Sequence, residues 1–193
     1  MRLSFGQVED LLASLHAVSD EHRIALRGRI KHFQRNGWPK GTNTGKGKRA
    51  RYDFPGLLAL AVAFEFTQIG MPPDRIVEML SENWSKVRTA ASLVLTRKGS
   101  DRPENFVYLY CDPAALSGLS RPSLQDRAVA TFRFLMGREL VQAFQQREPD
   151  ARRISLVNLT DLLEGLWKAL QDIPGVSQME RPEAYRAWAI AID

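Results

Sequence analysis

The sequence of 193 residues contains one cysteine, Cys111, and three histidines, all of which lie before residue 33. A single cysteine excludes an internal disulfide and any cysteine-based metal cluster within one chain. His22 and His32 lie ten residues apart on one predicted helix, a separation of about three turns, so they cannot chelate one ion. We therefore expect no metal site and no cofactor.

Catalytic motifs are also missing. No Ser-His-Asp order, Gly-x-Ser-x-Gly elbow, Walker loop or dinucleotide fingerprint is present. Residues 45–48 are similar to part of a phosphate loop, but no strand is predicted before them and no Lys-Ser or Lys-Thr pair follows. Asp161 and Glu164 fit helix capping better than acid–base catalysis, and Cys111 fits a buried structural thiol better than a redox sensor. The sequence does not predict an enzyme.

No apolar run approaches the ~18–20 residues that a membrane span needs. Acidic Glu9 and Asp10 stand where a signal peptide would have its apolar core. The composition, with 44% apolar and 25% charged residues, is typical of soluble globular proteins. We therefore expect a cytoplasmic protein with no membrane partner.

Positive charge is concentrated at one end of the chain. Residues 1–52 carry eleven Lys and Arg against four Asp and Glu, a net charge of +7, whereas residues 53–193 carry sixteen against eighteen, a net charge of −2. Such an asymmetry indicates a nucleic-acid-binding module attached to a nearly neutral part. The alternative is a solvated basic helix face with no partner.

Within this basic quarter, residues 22–34 contain no proline and one glycine, which favours a helix. Leu26, Ile30 and Phe33 fall on one side of that helix and are predicted to be buried. Cations recur at every fourth position and form a ridge beside the apolar stripe, at Arg23, Arg27, Lys31 and Arg35.

The segment after this helix is polar, rich in glycine and again basic. Gly37-Trp38-Pro39 ends the helix, residues 40–47 are polar, and residues 48–52 form an extended basic run. A basic helix followed by a basic hairpin fits a polyphosphate surface, as a recognition helix and a wing. Trp38 is expected to anchor the wing to the core, whereas Tyr52 fits packing and nucleic-acid contact equally well.

The neighbouring segments complete a helical pattern. Apolar spacing predicts a first helix over residues 5–15 with Ser4 as its cap. A third helix is predicted over residues 57–68, with Ile69 in the core and Gly70 as its end. Further helices are expected after Asp74 and around residues 84–97. A short helix, a tight turn and a basic helix are typical of a helix-turn-helix.

The same order of elements resembles the DNA-binding domain of the MerR family of winged-helix regulators. The resemblance covers about residues 5 to 80 and depends most on Gly47-Lys48-Arg49-Ala50-Arg51-Tyr52 and on Ile69-Gly70-Met71-Pro72. It implies a transcriptional regulator that binds double-stranded DNA, as a homodimer on a palindromic promoter site. RNA polymerase is a further candidate partner.

The basic quarter then supplies the candidate DNA contacts. Arg23, Arg27 and Lys31 are expected to reach base edges in a major groove. Lys48, Arg49 and Arg51 of the wing are expected to hold phosphates or to enter the adjacent minor groove. The predicted DNA-binding set is completed by Arg35, Lys46 and Tyr52.

The C-terminal part combines strands and helices. Residues 105–111 and 153–158 are predicted strands, and residues 123–146 a long amphipathic helix between them. Asp161 is expected to cap a helix through Leu170, and further helix is expected after Pro182. The predicted fold is mainly α with small β: an N-terminal winged helix-turn-helix domain over residues 1–98, followed by a small α+β domain over residues 104–193 for dimerisation or regulation.

Two other functions fit the same residues. An excisionase-like, architectural protein that bends DNA would use a similar winged helix. A protein-interaction adaptor would dock its basic helix on an acidic partner such as polymerase or a ribosomal protein. RNA binding is less favoured, because the basic strip lacks exposed aromatic residues for base stacking.

Overall fold

The computed structural model describes residues 2–43, 45, 49–96, 102–113, 131–145 and 153–176. These residues are mainly helical with two small antiparallel sheets, which confirms the mainly α prediction at that level. None of the described helices is both long enough and apolar enough to cross a membrane.

The described residues divide into two compact units, one formed by residues 2–64 with 162–176 and the other by residues 65–161. The boundary predicted between residues 98 and 104 falls within the second unit, and residues 97–101 lie outside the described part. The division into a DNA-binding and a dimerisation domain stays a prediction.

The elements of the N-terminal part are β1 (Leu3–Ser4), α1 (Phe5–Leu15), α2 (Arg23–Arg35), β2 (Arg51–Tyr52), α3 (Phe54–Gln68) and α4 (Pro73–Thr96). The later elements are β3 (Val107–Cys111), β4 (Arg133–Met136), α5 (Gly137–Gln145), β5 (Ser155–Asn158) and α6 (Leu159–Gln171). Short 3₁₀ turns at Asp20–His22 and Pro103–Asn105 precede α2 and β3.

Helix α1 begins with the predicted cap. The Ser4 hydroxyl accepts a hydrogen bond from the backbone N–H of Gln7 at 3.3 Å, and the Gln7 side-chain oxygen accepts one from the backbone N–H of Ser4 at 2.9 Å. This reciprocal capping box satisfies two backbone donors that the helix itself cannot satisfy. The start of α1 is therefore well defined by its own sequence.

The core of the first unit forms around α3. Leu26, Ile30 and Phe33 of α2 are buried, as their spacing predicts, and the Phe33 ring lies 5.7 Å from that of Phe64. Every residue from 57 to 64 is buried, which is typical of a helix that is apolar on all sides. Ile69, predicted to be in the core, is instead 41% exposed, because α3 ends at Gln68 and Gly70 turns the chain with φ +84°.

The basic hairpin predicted for the wing is not found among the described residues. Strand β2 pairs with the N-terminal strand β1 in an antiparallel register, with Leu3 opposite Tyr52 and Ser4 opposite Arg51. Leu3 and Tyr52 are both buried. This pairing removes two large apolar side chains from water, whereas a free-standing wing would leave Tyr52 exposed.

In the second unit, β3 lies at the centre of a three-stranded antiparallel sheet of order β4-β3-β5. Strands β3 and β5 lie within the predicted runs, but β4 was missed. The helix predicted over residues 123–146 is wrong at Arg133–Met136, which pairs with β3 from Tyr110 to Val107. Its described helical part starts only at Gly137, and residues 123–130 and 146 lie outside the described residues.

Two helices differ from their predicted bounds. The two helices expected after Asp74 and over 84–97 form the single helix α4. Helix α6 starts three residues early, because Asn158 and not Asp161 caps it: the Asn158 side-chain oxygen accepts from the backbone N–H of Asp161 at 3.3 Å. The helix expected after Pro182 lies outside the described residues.

Candidate nucleic-acid interface

An open groove of about 740 Å³ lies beside the C-terminal half of α2. Four exposed cations line it, and we call it the basic groove: Lys31, Arg35, Arg49 and Arg51. No Asp or Glu is present among the described residues that line it. Four like charges around one concave surface create a positive potential that attracts an anion.

The start of α1 also lines the basic groove, through Ser4, Phe5 and Gly6. Backbone N–H groups in the first turn of a helix have no intrahelical partner, and the helix dipole places partial positive charge at this end. A Cβ on Gly6 would meet no atom within 4 Å, so the backbone there is open to approach. The capping box uses the N–H groups of Ser4 and Gln7, so the neutral donors that this first turn adds to the four cations are its remaining N–H groups.

Arg27 does not belong to this groove. Its Nε donates to one carboxylate oxygen of Glu9 at 2.8 Å and its Nη2 donates to the other at 3.0 Å. The Glu9 side chain is buried, and its hydrogen bond and charge raise the pKa of the Arg27 guanidinium. Its guanidinium therefore joins α2 to α1 in this structure, and contact of Arg27 with base edges stays a prediction.

Arg23 is held in the same way. Its Nη1 donates to the backbone carbonyl of Glu9 at 3.2 Å and lies 3.1 Å from the Asp10 carboxylate, and its Nε lies 3.6 Å from that of Asp20. Two carboxylates neutralise this cation. Of the three predicted base-contacting residues, only Lys31 lines the basic groove.

Tyr52 takes the packing role, one of the two alternatives that the sequence left open for it. Its ring is fully buried, and its hydroxyl accepts a hydrogen bond from the Gln34 side chain at 2.6 Å. Burial raises the pKa of Tyr52 to about 12, so the phenol stays neutral. The predicted DNA contact is excluded for a buried ring, and Tyr52 instead supports Gln34 in the wall of the groove.

The loop after α2 is anchored as predicted for Trp38. The Trp38 indole is buried and donates to the backbone carbonyl of Ala59 at 2.9 Å. The Thr42 hydroxyl donates to the backbone carbonyl of Pro39 at 2.7 Å, and Gly37 has φ +77°, a value that favours glycine. These contacts hold the loop residues that reach the groove.

The remaining predicted residues fall into two groups. Lys46 and Lys48 lie outside the described residues. Cys111 is buried in β3, and burial raises its thiol pKa to about 12, in agreement with a structural thiol. In the part of the chain that the structure describes, no three His, Cys, Asp or Glu side chains form a cluster able to hold a metal ion.

Sequence reasoning missed that the start of α1 lines the basic groove, and that Ile24 of α2 is 80% exposed. The Ser4–Gln7 capping box indicates where α1 begins, but only the tertiary structure shows that this end lines a groove. Ile24 lies on a different side of the helix from the buried stripe of Leu26, Ile30 and Phe33. This position in the sequence could have indicated that Ile24 is exposed.

No known protein family, curated protein or solved structure matches this chain. The resemblance to the MerR family therefore stays a prediction. The function has to be inferred from the charge and geometry of the basic groove.

Proposed function

We propose that this protein is a sequence-specific transcriptional regulator that binds double-stranded DNA through a MerR-like winged helix-turn-helix. It would act in the cytoplasm as a homodimer on a palindromic promoter site, with RNA polymerase as a further partner. The observation that supports this most strongly is the basic groove, in which Lys31, Arg35, Arg49 and Arg51 surround one opening and the described lining residues include no carboxylate.

The shape of α2 suits a duplex. Its thirteen residues span about 20 Å, and a major groove about 12 Å wide admits a helix. Lys31 and Arg35 lie on its exposed side. With α2 in the major groove, the adjoining basic groove and the first turn of α1 would hold the phosphate backbone beside it.

The decisive experiment removes two cations from the groove. The Arg49→Ala, Arg51→Ala double variant should weaken binding to all duplexes. The slope of log K against log salt should flatten by roughly 0.9 unit per lost phosphate contact, or about two units in total. Fluorescence anisotropy with the full chain at a series of salt concentrations measures this slope.

A matched variant removes the same charge elsewhere. Arg102 and Arg138 are exposed cations outside the basic groove, and their double alanine variant should retain the wild-type slope. An unchanged slope in the groove variant, or an equal change in both, would contradict the proposal. Failure of the wild type to bind any duplex at low salt would favour the protein adaptor instead.

A further inference from the structure

The exposed side of α2 carries an apolar side chain among its charges. Ile24 is the most exposed large hydrophobic residue in the described part of the chain, at 80%. Single exposed apolar residues are common on protein surfaces, so the position of Ile24 on the helix determines whether it has a role.

Ile24 lies in line with two cations of the basic groove. Ile24, Gly28, Lys31 and Arg35 are spaced at i, i+4, i+7 and i+11, which places them within about 60° of one another in projection. The buried stripe of α2 lies on the opposite side. The stripe that faces solvent thus carries an isoleucine and a glycine at its N-terminal end and two cations at its C-terminal end.

The two residues at the N-terminal end of this stripe, Ile24 and Gly28, carry no charge of their own. Gly28 has no side chain, and a Cβ added there would meet nothing within 4 Å. The nearby guanidiniums of Arg23 and Arg27 are held by Glu9, Asp10 and Asp20. A partner at this end of α2 therefore meets an isoleucine beside open backbone.

The major groove of DNA presents one matching apolar group, the C5-methyl of thymine. Resting on the function proposed above, we infer that Ile24 is a specificity-determining residue that contacts a thymine methyl, with Gly28 allowing close approach of the helix. The neighbouring cations Lys31 and Arg35 match the negative charge of a duplex, whereas an apolar protein surface would leave them desolvated without a partner.

The test replaces single thymines by deoxyuridine, which removes only the methyl group. A preferred duplex is first selected from a random pool with the full chain. Each thymine is then replaced in turn, and one position per half-site should lower wild-type affinity about fourfold, the value of one buried methyl. Ile24→Ala should bind the thymine duplex more weakly and show no further loss with uracil.

Ile69→Ala is the matched control, because Ile69 is also exposed but does not lie on α2. It should retain the full uracil effect, and thermal melting should show that both variants fold. If no replacement of thymine by deoxyuridine lowers the affinity of the wild type, or if Ile24→Ala loses as much affinity on replacement as the wild type, this inference alone is overturned. A change of oligomeric mass in Ile24→Ala would overturn it in favour of a contact with a second copy. Failure to bind any duplex would overturn the proposed function as well.

Discussion

At the scale of single residues, Glu9 holds two of the arginines of α2, Arg23 and Arg27. Its buried carboxylate binds Arg27 with both oxygens, and its backbone carbonyl accepts a hydrogen bond from Arg23. A bidentate arginine–carboxylate pair has a fixed geometry, and a buried carboxylate left without its partner is strongly destabilising. The two arginines therefore serve the packing of α1 on α2.

Arg27→Ala should consequently lower the melting temperature, because it leaves the buried Glu9 carboxylate without its bidentate partner. Its effect on the salt dependence of DNA binding should be smaller than that of Lys31→Ala, which removes a cation from the basic groove. Circular dichroism melting and salt titration measure both effects. Arg29→Ala, at another exposed cation of α2, is the control for lost charge. An unchanged melting temperature together with a flattened salt slope in Arg27→Ala would instead support Arg27 as a DNA contact.

His16 should make the first unit sensitive to acid. Its ring stacks on Phe64 with centroids 5.7 Å apart, and burial lowers its pKa below the ordinary value of 6.5. The unfolded chain therefore binds a proton more readily than the folded one, so the contribution of His16 is complete above pH 6.5 and is lost as pH falls towards the folded pKa. Melting temperatures at a series of pH values should show this decline, and His16→Leu should reduce it.

The control for this titration is His22→Gln, because His22 is largely exposed. That variant should show the wild-type decline below pH 6.5. If His16→Leu and the wild type lose stability in parallel across this range, the acid sensitivity belongs to other groups.

At the scale of elements, the helices that are specified by a local sequence pattern were predicted. The strand β4, which depends on pairing with a distant segment, was missed. The capping box at Ser4 and the apolar stripe of α2 are written in consecutive turns, so α1 and α2 were predicted closely. Residues 134–136 form a short apolar run that is compatible with a helix or a strand. Pairing of β4 with β3 decides in favour of the strand. Likewise, the ridge of cations on α2 was predictable, but the carboxylate of Glu9 beside it was not.

A substitution at Gly28 of α2 should change stability and DNA affinity in opposite directions. Gly28 lies exposed within the helix with open space around its Cα. Gly28→Ala should therefore raise the free energy of unfolding by about 0.5–1 kcal/mol. The added methyl group would stand between α2 and the floor of a major groove, so affinity for duplex DNA should fall. Urea unfolding and anisotropy measure the two quantities, and a joint rise in stability and affinity would contradict the docking of this stripe.

At the scale of the whole molecule, the cationic groove and the exposed apolar side chains of α5 belong to different parts of the chain. The basic groove belongs to the first unit, whereas Val141 and Phe144 of α5 in the second unit are 64% and 46% exposed. They lie three residues apart and thus on one side of α5. If α2 is a recognition helix, as proposed above, it would read only a few base pairs, so pairing of two copies would increase specificity.

We expect the wild type to sediment at twice its chain mass of 21.8 kDa. Phe144→Glu should reduce that mass to one chain, because a carboxylate at this position opposes burial of the α5 face. Affinity for a palindromic site should then fall, while affinity for an isolated half-site should stay unchanged, because the basic groove is intact in each copy. Ile154→Glu, at an exposed isoleucine that precedes β5, is the control and should remain dimeric. A Phe144→Glu variant that keeps the dimeric mass would exclude α5 as the dimer contact. A wild type that is monomeric in solution but still prefers palindromic sites would show that two copies pair only on the DNA.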